Sequence, residues 1–155
     1  KINEFLPDGN IIIHGLSMGG GIVLQLADKE MKNVKCLIAD APTPSIETFL
    51  GNVSREVFKK SGEKVFLCAL ADFKEKNGVD ARDFNGVELI KNGKYPLLLS
   101  AGSMEKLEGL FEKVKQNNPR DTEIVVLEGC NHGNGMYKQT EIYQSKIKEF
   151  VYKYI

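Results

Sequence analysis

Asn10-Ile11-Ile12-Ile13-His14-Gly15-Leu16-Ser17-Met18-Gly19-Gly20-Gly21-Ile22-Val23-Leu24-Gln25-Leu26 is the stretch that decides the fold. Ile11 to Ile13 are β-branched and favour a strand, whereas Ile22, Val23, Leu26 and Ala27 recur at helical spacing. Gly15-x-Ser17-x-Gly19 falls at the junction, which is the layout of a nucleophile elbow. A serine on so sharp a strand-to-helix turn adopts a strained backbone, and the residues two before and two after it must be nearly without side chains. Gly15 and Gly19 meet that demand. At average glycine and serine usage, a bare Gly-x-Ser-x-Gly arises by chance in about one chain in twenty of this length. The strand before it and the helix after it therefore carry the assignment.

Outward from the elbow, apolar β-rich runs recur at 10–14, 34–39, 95–101 and 123–128, separated by stretches of helical character. Such alternation predicts an α/β fold with a parallel sheet of about four strands and crossover helices. Residues 104–116 place Met104, Leu107, Leu110, Phe111 and Val114 on one stripe, and 140–155 do so with Tyr143, Ile147, Phe150, Val151 and Tyr154. Between the runs at 34–39 and 95–101 lies a less regular segment, 41–94. Ala41-Pro42-Thr43-Pro44 breaks the chain, and Ser45 is placed to cap a helix with Glu47 and Thr48 in its first turn and Phe49, Val53, Val57 and Phe58 facing inward. Further breaks at Ser61-Gly62, Asn77-Gly78 and Asn92-Gly93 predict two or three short helices over the strand ends across 43–94. No repeat or linker divides the chain, so residues 1–155 read as a single domain.

Parallel strands of this kind present ligands at their carboxyl ends. Four loops leave those ends, carrying Ser17, Asp40, Glu105 and His132 in turn. A serine hydroxyl is a poor nucleophile until an imidazole takes its proton, and the imidazole needs a carboxylate to fix its tautomer and stabilise its charged form. The chain order of serine, acid and histidine supplies each part, with either Glu105 or Asp40 as the acid. Each residue also has a plainer reading. Ser17 and the glycines after it suit an ordinary helix entry or an anion at a helix N-terminus, Glu105 suits a first helical turn, and Asp40 suits a turn before Pro42. His14, inside the first strand, reads as a satisfied buried histidine outside the mechanism.

Composition excludes several function classes. Of the 155 residues, 42% are hydrophobic and 27% charged, enough for a real core. Twenty-one basic residues balance twenty-one acidic ones, so no net field gathers nucleic acid or an anionic membrane surface. No apolar run approaches the roughly 20 residues of a membrane span. The opening Lys1-Ile2-Asn3-Glu4-Phe5-Leu6-Pro7 lacks a secretory layout and reads as the tail of a helix cut partway, and the expected location is cytoplasmic. Cys36, Cys68 and Cys130 are odd in number and widely spaced, which argues against disulfides. Cys36 reads as a core residue and Cys130 as partly exposed. Cys130, His132 and His14 lack a fourth ligand at sensible spacing, so no metal is expected.

Taken together, His14-Gly15-Leu16-Ser17-Met18-Gly19-Gly20, Tyr95-Pro96-Leu97-Leu98-Leu99-Ser100-Ala101-Gly102 and Glu128-Gly129-Cys130-Asn131-His132-Gly133 resemble the elbow, acid strand and histidine loop of α/β-hydrolases of the bacterial serine hydrolase or esterase type. The chain resembles the C-terminal half of that fold, from the elbow strand onward. The resemblance implies Ser17 as nucleophile, Glu105 as acid, His132 as base and the Met18 backbone N–H as an oxyanion-hole donor, with no cofactor. Glu105 departs from the usual aspartate three residues after the glycine, and Asp40 stays the alternative acid.

The resemblance also implies about eight strands, so strand 10–14 becomes an exposed edge. Either a missing N-terminal half or a second copy, paired as a homodimer, is expected to cover it. The expected function is hydrolysis of a small-molecule carboxylic ester or related acyl compound through an acyl-enzyme. The competing expectation is a catalytically weak hydrolase-like fragment serving as a binding or assembly module.

Overall fold

A computed structural model describes residues 2–5, 7–105, 108–117 and 122–155. Strands β1 (Ile11–Leu16), β2 (Val34–Asp40), β3 (Leu97–Gly102) and β4 (Thr122–Leu127) form one sheet in chain order, every pairing parallel. A short α1 (Ile2–Phe5) precedes the sheet, and α2 (Met18–Gln25) crosses from β1 to β2. Between β2 and β3 lie α3 (Ile46–Phe58), α4 (Gly62–Asn77) and α5 (Gly86–Leu89). Next come α6 (Glu108–Asn117) before β4, then α7 (Gly135–Lys138) and α8 (Thr140–Val151). The expected α/β alternation with crossover helices is therefore present. Leu107, placed on the α6 stripe from sequence, lies outside the described residues.

Side-chain alternation in the two central strands explains the layers. Leu37 and Ala39 of β2, with Leu97 and Leu99 of β3, join Val23, Leu24, Ile90 and Val114 in one core. Their neighbours Cys36, Ile38 and Leu98 point to the other face and pack on Phe150 of α8. Strands buried on both faces read as continuous apolar runs, as Leu97-Leu98-Leu99 does. Helix α2 carries three glycines directly after Met18, poor helix formers, and it is held by packing of the fully buried Val23 and Leu24. Burial also pushes the Cys36 thiol up to about 11, leaving it inert.

The segment over the strand ends corrects one expectation. Ser45 does cap α3, its hydroxyl accepting from the Thr48 N–H at 3.0 Å. However, α3 meets α4 through small residues, with Gly51 and Ser54 buried. A Cβ on Gly62 would lie 2.7 Å from the Arg55 Cα. That close crossing turns the bulky stripe away from the hairpin interface. Phe49, Val53, Val57 and Phe58 are exposed, whereas Phe66 is buried with the Arg55 guanidinium 5.4 Å from its ring centre. The helices here are also longer than expected, α4 running for 16 residues before Gly78 closes it in the left-handed region.

β1 is an edge of the sheet, pairing only with β2 among the described residues. Ile13 packs into the core under α2, while Ile12 and Leu16 on the opposite face stay 37% and 41% exposed.

Candidate active site

Ser17 sits between β1 and α2 with φ 55° and ψ −114°, a conformation costing a non-glycine residue about 1–3 kcal/mol. The surroundings over-determine it. Its N–H donates to the Asp40 carbonyl at 2.8 Å, and its carbonyl accepts from Gly21 at 3.0 Å and Thr43 at 3.2 Å. Sterics explain Gly15, where a Cβ would stand 2.2 Å from the Gly19 carbonyl oxygen. They do not explain Gly19, which has open space at its own Cβ position. The crowded glycines of α2 are Gly20 and Gly21, whose Cβ atoms would lie 2.9 Å from the Asp40 carbonyl oxygen and 2.3 Å from that of Thr43.

A serine at a helix N-cap ordinarily accepts from an N–H of the first turn. Ser17 makes no such bond; its Oγ lies 2.8 Å from His132 Nε2. The other ring nitrogen, Nδ1, lies 2.6 Å from Glu105 Oε2. Glu105 closes a 3-10 turn over Ser103–Glu105 directly after β3. Its second oxygen accepts from the Gly102 N–H at 2.7 Å, so both carboxylate oxygens are held. The glutamate thus spans the gap. His132 is exposed and Glu105 has a side chain only 6% exposed, which places the charge behind the imidazole and the imidazole toward solvent.

Two loops must be registered for this chain of hydrogen bonds to form. Met104 N–H donates to the Cys130 carbonyl at 3.1 Å, and Gly129 N–H donates to Ser103 Oγ at 2.9 Å. Asn134 Oδ1 accepts from the Asn131 N–H at 2.8 Å, while Gly129 and Gly133 take positive φ on either side of His132. Gly102 is the residue that sequence reasoning missed as part of the site. A Cβ there would lie 2.2 Å from the Cys130 carbonyl oxygen and 2.9 Å from that of Asn131. The sequence showed it only as the glycine that ends the acid strand, three residues before Glu105. Gly102→Ala is expected to cost about 2–3 kcal/mol of stability. It is also expected to slow modification of Ser17 by a serine-reactive probe about 100-fold, because the histidine loop is pushed off register. Chemical denaturation and labelling rates check both; unchanged values would show that the loops do not need this contact.

Three residues stand elsewhere than expected. Asp40 does not meet His132. It is 5% exposed, accepting from Ser100 Oγ at 2.7 Å and from the Tyr143 hydroxyl at 2.9 Å, so its carboxylate ties β2 to β3 and α8. His14 is exposed on the edge strand, not buried, and its Nε2 lies 3.2 Å from that same Tyr143 oxygen. Burial, with Asp40 as acceptor, holds the Tyr143 hydroxyl well above the usual tyrosine range. Cys130 is fully buried beside Leu127 and Tyr143, because the loop turns its side chain inward.

Beside the elbow lies a cavity of about 590 Å³ between α2 and the α3–α4 hairpin. Met18 and Ile22 line it from below, and Phe49, Phe73 and Phe84 from above. Met18 is the first residue of α2, so its N–H belongs to the helix-end donors that have no partner within the helix. An oxygen developing negative charge at Ser17 finds that donor adjacent.

No family model matches the chain, and no curated protein sequence does. Solved structures match nearly all of it. MGS-MChE2, an α/β hydrolase enzyme from the metagenome of sediments of the lagoon of Mar Chica, Morocco, is 19% identical with a TM-score of 0.64, over 98% of this chain and 65% of that one. The Pyrococcus furiosus esterase PF2001 is 20% identical with a TM-score of 0.67, over 97% and 59%. The serine hydrolase CarC, involved in carbazole degradation, is 16% identical with a TM-score of 0.62, over 97% and 68%. The chain therefore spans roughly three-fifths to two-thirds of the length of these structures. At such identities the likeness is one of fold, and it shows that this chain is built on the α/β-hydrolase fold and covers part of it.

Proposed function

We propose that the chain carries the reacting residues of a serine hydrolase that cleaves a carboxylic ester, or a related acyl compound, through an acyl-enzyme intermediate. The observation that carries this reading is the unbroken contact from Ser17 Oγ to His132 Nε2 at 2.8 Å and from His132 Nδ1 to Glu105 Oε2 at 2.6 Å. Ser17 Oγ attacks the carbonyl carbon while Nε2 takes its proton. The new oxyanion is held by the Met18 N–H, and Nε2 returns the proton to the departing alcohol. Water then repeats the steps to release the acid and restore Ser17. Glu105 keeps Nδ1 protonated throughout, so that Nε2 presents its lone pair. No metal or organic cofactor takes part in this scheme. The test is intact-mass analysis of the 155-residue chain after exposure to a fluorophosphonate, where one adduct on Ser17 is expected and an unlabelled chain overturns the reading.

A second reading, a hydrolase-like binding or assembly module, draws on the share of the fold covered and on the Met18 N–H being the one oxyanion donor assigned among the described residues. Loss of one such donor typically costs about 10² to 10³ in rate. An unlabelled but folded chain favours the module.

We also infer that the free edge of β1 is covered in the working protein, either by an upstream part of the fold or by a second copy pairing edge to edge. Exposed Ile12 and Leu16, beside a β1 edge with no strand partner among the described residues, support this. Size exclusion with light scattering on the 155-residue chain is expected to give a dimer or larger species; a well-behaved monomer sinks the pairing. Cytoplasmic residence is part of the same proposal. Cys36, Cys68 and Cys130 are all free and Cys68 is exposed, as suits a reducing compartment.

A further inference from the structure

We propose that the cavity beside the elbow receives the acyl portion of the substrate, and that the substrates are esters of uncharged, apolar acyl groups larger than butyryl. This rests on the serine hydrolase reading. The lining contains no charged residue, and the aromatic side chains of Phe49, Phe73 and Phe84 face the methionine and isoleucine of α2. Ser45, a polar residue at its wall, is already engaged by the Thr48 N–H and hydroxyl. Gln25 and Thr43 are the other polar residues of the wall, so a charged acyl terminus entering this space would lose hydration and meet no opposite charge.

Geometry separates the acyl side from the alcohol side. The nitrogen that takes the Ser17 proton, His132 Nε2, is the one that must protonate the departing oxygen, so the leaving alcohol lies on the His132 side. Every residue lining the cavity belongs to α2 or to the segment from Thr43 to Phe84, and none to the loop that carries His132. The cavity is thus left for the group that stays bonded to Ser17. Met18 links the two features, its N–H placed for the oxyanion and its side chain lining the cavity.

Size sets the lower limit of the acyl group. A water-sized group takes up about 30 Å³ of liquid volume, so an acetyl or butyryl group fills only a small part of the 590 Å³. Unfilled apolar space forfeits contact, whereas each added methylene that fits is retained through both acylation and deacylation.

The experiment measures kcat/KM on the full chain for p-nitrophenyl acetate, butyrate and octanoate, and for the pair ethyl octanoate and octyl acetate. Octanoate is expected to exceed acetate by about 10-fold or more, and ethyl octanoate to be preferred over octyl acetate. Ile22→Trp, at a half-exposed position on the cavity wall, is expected to lower the octanoate-to-acetate ratio of kcat/KM about 10-fold. Circular dichroism and thermal unfolding of that variant certify its folding. Equal rates for all acyl lengths, or an octanoate preference untouched by Ile22→Trp, overturn the acyl assignment and leave the hydrolase reading standing. Preference for octyl acetate puts the alcohol in the cavity and overturns it too. No turnover of any ester, together with no fluorophosphonate adduct, overturns the hydrolase reading itself and the assignment with it.

Discussion

His132→Ala is expected to lower the rate at which a fluorophosphonate modifies Ser17 by about 10⁴-fold or more, and Ser17→Ala to abolish the adduct. The two losses have different causes. Ser17→Ala removes the atom to be modified; His132→Ala leaves it in place but takes away the imidazole 2.8 Å from its oxygen. An isolated serine hydroxyl is too weakly acidic to react at neutral pH, so the adduct depends on the histidine. Ser17 also gives up its ordinary role as a helix cap to face His132, and holds positive φ to do so. Ser17→Ala should therefore unfold at nearly the temperature of the parent chain, since no cap is lost. A parent chain and a His132→Ala variant that label at the same rate would show that the imidazole contact has no chemical effect.

Glu105→Gln is expected to slow labelling about 10⁴-fold with little loss of stability. Asp40→Asn is expected to do the reverse. A glutamine turns its amide N–H₂ toward Nδ1, which must then accept, so the proton moves to Nε2 and the nitrogen facing Ser17 loses its lone pair. Glu105→Asp keeps the charge but withdraws it by one methylene, and should fall between the two. In Asp40→Asn, one of the two hydroxyls now donating to the carboxylate meets an N–H₂ group in a buried site. That should cost about 2–3 kcal/mol, or a melting point lower by about 5 °C or more, while labelling persists. Thermal unfolding beside labelling rates decides the matter. Loss of labelling in Asp40→Asn with retention in Glu105→Gln would reverse the assignment of the acid.

That choice between two carboxylates marks where sequence reasoning stopped. Asp40 ends β2 and Glu105 follows β3 at the same edge of the sheet, and residue order alone does not say which one an imidazole 27 residues beyond Glu105 will meet. The decision depends on the 3-10 turn after β3, which brings Glu105 under His132, and on Tyr143 of α8, which claims Asp40. The same limit applies to α3. Its apolar stripe was plain, yet the partner face was not, because contact through Gly51, Ser54 and Gly62 is a property of two helices meeting and not of either one.

By itself the sequence determined the strand-turn-helix at Ser17, the parallel four-stranded sheet and the edge at which serine, carboxylates and histidine gather. Those follow from local effects: β-branched runs, helical periodicity, and a glycine at position 15 that no other residue can replace. Only the tertiary structure decided that Glu105 is the carboxylate in contact with His132, that His14 and Asp40 meet through Tyr143, and that an uncharged cavity opens beside Met18. Each of these joins residues far apart in the chain, and distances of a few ångströms between such residues are set by how loops and helices dock, a sum of many small packing terms that no short stretch of sequence contains.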